Sequence, residues 1–154
     1  MTRHVRVAGG ADLELLTAHD RHVSPQELAA VVARGRVLVA VDGDVMLGWL
    51  RWGLFWDEVP FMNMLMVVEG ARETGVGRLL VEAWEGRVRR AGHARVMTST
   101  LSDEPAQHFY RRLGYADCGA LLLPGEAAEL LFRKDLEAPP GANRSPYPRA
   151  TRLS

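Results

Sequence analysis

Two glycines that open a helix directly after an apolar segment are the residues best placed to do chemistry. Residues 64–68 read as a buried strand, and R-E-T-G-V-G follows at residues 72–77, before an amphipathic run that begins at Arg78. Amides in the first turn of a helix have no acceptor inside the helix, and the helix dipole adds positive charge there. Glycine leaves room for an anion to approach those amides. The stretch therefore predicts a phosphate-binding loop.

Two common phosphate loops do not fit this stretch. The nicotinamide fingerprint G-x-G-x-x-G requires a third glycine, and Leu80 stands at that position. The ATP and GTP loop G-x-x-x-x-G-K-[ST] does not occur in the sequence. The pattern R-x-x-G-x-G, formed by Arg72, Gly75 and Gly77, instead resembles the coenzyme A pyrophosphate loop of the GNAT superfamily of N-acetyltransferases. For so short a motif, an ordinary strand-to-helix turn is the alternative.

A second motif lies further along the chain. Residues 103–115 read D-E-P-A-Q-H-F-Y-R-R-L-G-Y and resemble the late helix of the same family, N-x-x-A-x-x-F/L-Y-x-x-x-G-F/Y. The first three matching apolar positions have helical spacing and share one helix face. Asp103 stands where the family usually has Asn. The positions that match are Ala106, Phe109, Tyr110, Gly114 and Tyr115.

The resemblance implies an enzyme that moves an acetyl group from acetyl-coenzyme A to a primary amine by direct attack, without a metal. Pantetheine would pair with the fourth strand like an added strand, and the pyrophosphate would bind the glycine loop. The backbone N–H of Val67 would polarise the thioester carbonyl, and Tyr110 would be the general acid for the leaving thiolate. The residues so assigned to the cosubstrate are Met66, Val67, Val68, Arg72, Gly75, Val76, Gly77, Arg78, Asp103, Ala106 and Tyr110.

Other roles fit several of these residues. Tyr110 could be a core tyrosine whose hydroxyl bonds a carbonyl, and Arg72 and Arg78 could be solvated surface charges. An ionised Asp103 cannot donate to pantetheine as Asn would, whereas aspartate suits a helix N-cap, which we favour. A non-catalytic module that senses acyl-coenzyme A is the alternative function, and a purely structural domain ranks third.

The acceptor side carries weaker signals. No general base is evident, and the third strand is rich in aromatic residues, which bind cationic amines when exposed beside carboxylates. Core packing and solvated loops are the alternatives for these side chains. We predict a small-molecule or amino-acid-like amine as the acceptor. The residues assigned to it are Trp52, Trp56, Asp57, Glu58, His22 and Asn63.

Composition narrows the class of protein and its partners. The chain has 154 residues, 47% of them hydrophobic and 25% charged, which suits one domain with a substantial core. Its 19 basic and 19 acidic residues balance, so charge predicts neither a nucleic-acid nor a membrane partner. Cys118 is the only cysteine, so a disulfide framework within the chain is excluded. We interpret Cys118 as an ordinary small apolar residue. No segment has the pattern of a signal peptide or membrane span, so we predict a cytoplasmic protein. A monomer and a homodimer both fit the sequence.

Apolar periodicity predicts an α/β protein of the α+β mixed-sheet type, with the element order β-α-α-β-β-β-α-β-α-β-β. This is the order of the GNAT acyltransferase fold, and it spans residues 3–136. Helix starts are expected at Asp12 and at Ser24-Pro25, where the N-cap signals are strongest. We predict a single GNAT-like domain at residues 1–136. Residues 137–154 contain half of the chain's 8 prolines and are predicted to be a disordered Pro/Arg tail.

Overall fold

The computed structural model describes residues 2–137, and the predicted tail beyond Glu137 lies outside the described residues. Seven strands occur in this range: β1 (Arg3–Val7), β2 (Val37–Asp42), β3 (Val45–Phe55), β4 (Val59–Val67), β5 (Arg95–Leu101), β6 (Ala116–Leu121) and β7 (Glu129–Asp135). The helices are α1 (Leu13–His19), α2 (Pro25–Ala33), α3 (Val76–Arg90) and α4 (Ala106–Arg112). The strands form one mixed sheet in the order β1-β2-β3-β4-β5-β7-β6. The predicted α/β mixed fold is confirmed, with short 3-10 turns added at Gly10–Asp12 and Glu69–Ala71.

Local sequence signals explain where α2 and α3 begin and end. The Ser24 hydroxyl accepts from the Glu27 amide at 3.2 Å, and Pro25 occupies the first helical position, so α2 begins as predicted. Helix α3 ends with three arginines that suit the negative end of its dipole. Gly92 follows with φ +101°, a left-handed conformation that glycine adopts without strain.

Two predicted helix starts are wrong, and at a third the start is right but the capping bond is absent. Helix α3 begins at Val76 rather than Arg78. Asp12 occupies the N-cap position of α1 as predicted, but its carboxylate binds Arg6 at 2.8 Å and accepts from the Gly9 amide instead of capping the helix. Asp103 is not the cap of α4, because that helix begins at Ala106 with Pro105 at the N-cap position. The turn before it closes by a hydrogen bond from the Glu104 amide to the Leu101 carbonyl.

Two apolar layers lie on opposite faces of the sheet. Helices α3 and α4 cover one face, and the stripe Leu80, Trp84 and Val88 of α3 is buried there as predicted. Helices α1 and α2 cover the other face over β2 and β3, with Trp49 as the largest buried side chain. Because the alternate side chains of a strand point to opposite faces, β3 supplies both layers. The core therefore fixes β3 and β4 at the centre of the molecule.

The C-terminal strands are less enclosed than the rest of the sheet. Every residue of β6 is exposed, and the predicted apolar packing of Cys118 is wrong because this residue is exposed at the sheet edge. Leu121 and Leu122 at the end of β6 are exposed as well. Among the described residues, no helix is long and apolar enough to cross a membrane.

Candidate active site

The site begins at the one parallel junction described in the sheet. Strands β4 and β5 pair only at Phe61 with Met97 and at Met62 with Thr98, and beyond these pairs they separate. The Thr98 hydroxyl donates to the Met62 carbonyl at 3.0 Å and closes the narrow end of the gap. Residues 63–67 of β4 therefore form a strand edge that faces an opening in the sheet.

The backbone polar groups of Val67 point into this gap. The Val68 amide donates to Leu47 of the β3 segment at 2.9 Å, and Gly48 lies opposite Val67. Since successive residues of a strand direct their N–H groups to opposite edges, the Val67 N–H points away from β3, toward the gap. A ligand in the gap would meet a backbone donor whose direction is set by the β3–β4 pairing.

The loop after β4 has the geometry of an anion site. Gly75 lies at φ +87°, which a side chain would strain, and a Cβ there would meet no atom within 4 Å. The first turn of α3 that follows contains no acidic residue. Gly77 has a different reason to be glycine: a Cβ there would lie 3.3 Å from the Phe109 ring of α4. Open space and unpaired amides thus meet at the start of α3.

The basic residues near this loop are held in different ways. Arg72 is exposed and donates from Nε to the Val67 carbonyl at 3.3 Å, so its guanidinium lies beside the gap. Arg78 pairs with Glu82 at 2.8 Å on the outer side of α3, where both side chains are mostly exposed. Arg3 of β1 donates to the Thr74 carbonyl at 3.0 Å and ties the loop to the edge of the sheet. Arg72 is the arginine best placed for a ligand in the gap.

Tyr110 lies at the narrow end of the gap. It is 6% exposed, and its hydroxyl is hydrogen-bonded to the side chain of Thr98, the residue that bridges β4 and β5. Burial raises the pKa of Tyr110 to about 12, against the smaller opposing effect of the Thr98 hydrogen bond. The phenol is therefore neutral at physiological pH and remains a hydrogen-bond donor.

A second buried phenol lies behind Tyr110. The Tyr115 ring contacts Tyr110 edge-on at 5.8 Å between centroids, and its hydroxyl donates to Glu85 at 2.8 Å. Lys134 binds the same carboxylate at 2.9 Å. Burial and the Glu85 charge raise the pKa of Tyr115. Glu85 also lines a surface groove of about 460 Å³ between α3 and the end of β7, and none of the lining residues belongs to β4 or β5.

Ala106 and Asp103 differ in their surroundings. Ala106 is the first residue of α4 and packs against the core below Tyr110. Asp103 is exposed in the turn between β5 and α4. The side chain of Gln107 binds the Ser102 and Glu104 carbonyls of that turn at 2.8 and 3.0 Å, so the turn is fixed without Asp103.

Gly48 is a contributor that sequence reasoning missed. A Cβ at this position would lie 2.5 Å from the Met66 carbonyl oxygen and 3.3 Å from Leu80 of α3. The absence of a side chain thus lets β3 approach β4 closely beside Val67 and lets α3 pack above both strands. A glycine inside a strand pattern was the available signal, since it often marks a close backbone approach.

The predicted acceptor residues do not form one cluster. Asn63 is an extra residue in β4, because Arg51 pairs with Met64 and Trp52 with Met62. Its amide nitrogen lies 3.2 Å from the position of a Cβ at Gly53, so the side chain covers that glycine. Trp52 lies on the α3 face instead, with its ring 6.4 Å from Trp84.

Trp56, Asp57 and Glu58 form the tight turn between β3 and β4. Trp56 and Asp57 have φ values of +57° and +59°, a conformation that costs non-glycine residues about 1–2 kcal/mol each. The Trp56 ring is 57% exposed and packs on Phe55 at 4.6 Å between centroids. Phe55 in turn stacks on Phe61 at 5.7 Å. The turn thus presents aromatic and acidic side chains together at the end of the hairpin.

His22 lies on the loop between α1 and α2. Its side chain is exposed, while its amide donates to the Asp20 carboxylate at 3.3 Å. Asp20 is buried and pairs with Arg51 of β3. No pattern in the sequence indicated a role for Arg51. Within residues 2–137, no three His, Cys, Asp or Glu side chains lie close enough together to hold a metal ion.

Comparison with known proteins defines the family. A family profile described as an acetyltransferase (GNAT) domain matches residues 33–117, which is more than half of the chain. The chain therefore belongs to the GNAT acetyltransferase family, and the resemblance noted from its two motifs is confirmed.

Particular relatives can then be named. The chain is 34% identical over 102 residues to the streptothricin acetyltransferase of Streptomyces lavendulae, a match that covers 63% of this chain and 53% of that protein. The chain thus spans about half the length of this curated relative.

Solved structures share the fold at low identity. The ribosomal-protein-alanine N-acetyltransferase of Brucella melitensis superposes with a TM-score of 0.74 at 20% identity, covering 86% of this chain and 99% of that chain. A Bacillus anthracis str. Ames protein, provisionally described as a streptothricin acetyltransferase and solved with acetyl coenzyme A, gives a TM-score of 0.61 at 16% identity, covering 65% and 61%.

Proposed function

We propose that this protein is an N-acetyltransferase that moves the acetyl group of acetyl-coenzyme A to a primary amine of a small or amino-acid-like molecule. The carrying observation is the free β4 edge at residues 63–67, which ends at a glycine loop and an acid-free helix start. An extended ligand would fit these features in order, with its thioester end along the β4 edge and its pyrophosphate at the glycine loop.

The cosubstrate would be bound mainly by backbone groups. Its pantetheine arm would lie along Met66, Val67 and Val68 as an added strand and bond the polar groups that Val67 directs into the gap. Its pyrophosphate would accept from the first amides of α3, at Val76, Gly77 and Arg78, with Arg72 close by. Asp103, in the turn after β5, and Ala106, at the start of α4, would contact the same arm.

The reaction would form a C–N bond and break a C–S bond. The neutral amine attacks the thioester carbonyl, and the Val67 N–H stabilises the charge that develops on the carbonyl oxygen. The tetrahedral intermediate then expels the coenzyme A thiolate, while the proton of the attacking amine passes to water. No described side chain is assigned as the general base.

The high pKa of Tyr110 decides how it would assist the leaving group. A thiol has a pKa of about 8.5, roughly 3.5 units below that of Tyr110 at about 12. Complete proton transfer from the phenol to the thiolate would therefore cost about 5 kcal/mol. Tyr110 would act chiefly by donating a hydrogen bond to the thiolate, and the thiolate would take its proton later from solvent.

The acceptor is proposed from the similarity to streptothricin acetyltransferase. Streptothricin is therefore the first amine to assay, and an alanine-initiated peptide is the second. Asn63 belongs to the β4 edge at the gap, His22 to the loop between α1 and α2, and Trp56, Asp57 and Glu58 to the β3–β4 turn, and these residues would contact the acceptor. Aromatic and acidic side chains together would favour a cationic acceptor.

Two measurements test the proposal. In a thermal-shift titration, acetyl-coenzyme A and coenzyme A should raise Tm with concentration, and NAD should leave it unchanged. Thiol release should then follow the addition of an acceptor amine. Coenzyme A binding without thiol release, over a wide amine panel, would favour the sensor module instead. The absence of any coenzyme A shift in folded protein would refute both.

A further inference from the structure

One buried ion pair joins the loop between α1 and α2 to the centre of the sheet. The Asp20 side chain is fully buried and the Arg51 side chain is 9% exposed. Arg51 donates to the carboxylate through Nε at 2.9 Å and Nη2 at 3.4 Å. The indole N–H of Trp49 donates to the same carboxylate at 3.3 Å. The His22 amide adds a fourth hydrogen bond, so the carboxylate is well satisfied.

Stability alone is a poor explanation for this pair. Removing two charges from water is costly, and apolar residues of similar size often stabilise a protein as well or better. A buried pair does, however, hold two segments in one arrangement, because every other arrangement leaves a charge without its partner. Here the two segments are the loop at residues 20–24 and strand β3.

The position of the pair connects it to the open side of the gap. Arg51 pairs across the sheet with Met64, which belongs to the free edge of β4. Neighbouring strands lie about 5 Å apart, so the Asp20 carboxylate, which binds Arg51, lies one strand from the gap. Helices α3 and α4 cover the opposite face. Helices α1 and α2 cover the other face over β2 and β3, so an amine that reaches the gap on that face would pass beside this loop.

We infer that Asp20 and Arg51 are positioning residues for the acceptor, because they hold the loop at residues 20–24 against β3 as one wall of the approach to the gap. The inference rests on the proposed function, since it assigns a role in binding the amine. The pair does not touch the cosubstrate edge of β4, so its loss should affect the amine and leave acetyl-coenzyme A binding unchanged.

The test is the double variant Asp20→Asn/Arg51→Met. It removes both charges together, so no charge stays buried alone, and the introduced amide still offers an oxygen acceptor to Trp49 and to the His22 amide. We expect KM for streptothricin, or for another amine that the wild type acetylates, to rise by about tenfold or more. KM for acetyl-coenzyme A and the Tm shift with coenzyme A should stay at wild-type values. Amide exchange at residues 20–24 should become faster.

A matched control pair exists at the far edge of the sheet. Arg6 binds Asp12 through two hydrogen bonds of 2.8 and 2.9 Å, and Arg6 belongs to β1. Asp12→Asn/Arg6→Met should change neither KM. If the main double variant does not fold, Trp49→Phe removes the indole donor together with part of a buried ring, and it should raise the amine KM by a smaller factor.

Several outcomes would overturn the inference. An unchanged amine KM in folded double variant, or equal changes in both KM values, would show that the pair has no specific role in acceptor binding. Unchanged exchange at residues 20–24 would show that it does not hold the loop. A wild-type protein that binds coenzyme A but acetylates no amine refutes the proposed function instead, and the exchange measurement still decides whether the pair holds the loop.

Discussion

Substituting Tyr110 with Phe tests the proposed chemistry most directly. The ring is buried against Tyr115 and Phe132, and Phe retains all of that packing. Thr98 keeps its hydrogen bond to Met62, so no buried donor is left without an acceptor. The stability cost should therefore be small, about 1 kcal/mol for one lost hydrogen bond. What is removed is the donor that would face the leaving thiolate.

The expected kinetic loss follows from the strength of that bond. A hydrogen bond to a charged acceptor contributes about 1.5–3 kcal/mol, which corresponds to a fall in kcat of roughly 10- to 150-fold. KM for acetyl-coenzyme A should change little, because the thiolate exists only as the thioester breaks. Thiol release under saturating acetyl-coenzyme A measures kcat, and thermal unfolding with coenzyme A confirms that binding is retained.

Tyr115→Phe is the matched control, since it removes a buried phenol whose partner is Glu85 rather than Thr98. That variant should lose stability and keep its kcat. The reasoning would be refuted if Tyr110→Phe retained wild-type kcat. It would also be refuted if the wild type lost activity near pH 9–10 through ionisation of Tyr110, because burial raises the pKa of this residue to about 12.

Three further predictions concern stability and binding. Gly48→Ala places a Cβ 2.5 Å from the Met66 carbonyl oxygen, so denaturant unfolding should show a free energy of unfolding lower by about 1–3 kcal/mol. Titration of the same variant should show weaker acetyl-coenzyme A binding. The control Gly53→Ala, whose Cβ meets only the movable Asn63 side chain, should lower the free energy of unfolding by less. Ser24→Ala removes the cap of α2 and should lower the unfolding free energy by about 1 kcal/mol without changing the coenzyme A shift. At alkaline pH the unfolded Tyr110 ionises near pH 10 and the folded one near 12, so stability should fall across this interval, and Tyr110→Phe should reduce that fall by up to about 2.7 kcal/mol.

Local signals were sufficient where neighbouring residues decide the structure. The Ser24-Pro25 start and the Gly92 stop depend on nearby backbone groups alone, and both helix ends are where the sequence predicts them. The turn from β4 into α3 could also be predicted from nearby residues, because Gly75 adopts a left-handed conformation directly before that helix. The prediction that Asp103 caps α4 was wrong because helix caps and turns favour the same residue types. Here Asp103 lies in a turn, and Gln107 binds the carbonyls of that turn.

Long-range features could not be predicted in this way. Asp20 and Arg51 are 31 positions apart, and nothing beside either residue indicates a buried partner. The extra residue at Asn63 is visible only when β3 and β4 are paired, because a bulge changes the register without changing composition. Alternation did separate Trp49 from Trp52, but it could not show that Trp52 packs against Trp84 of α3.

The narrow junction between β4 and β5 divides the sheet into a four-stranded part, β1 to β4, and a three-stranded part, β5 to β7, which are joined at two residue pairs. A molecule that hydrogen-bonds along the remaining edge of β4 would bridge the two parts of the sheet, and its binding free energy would add to the free energy of unfolding. The abundance of the folded protein in a cell would then rise and fall with the supply of that molecule, because unfolded chains are continually removed by proteases. The same opening that admits a ligand would thus couple the lifetime of the protein to the metabolic state around it.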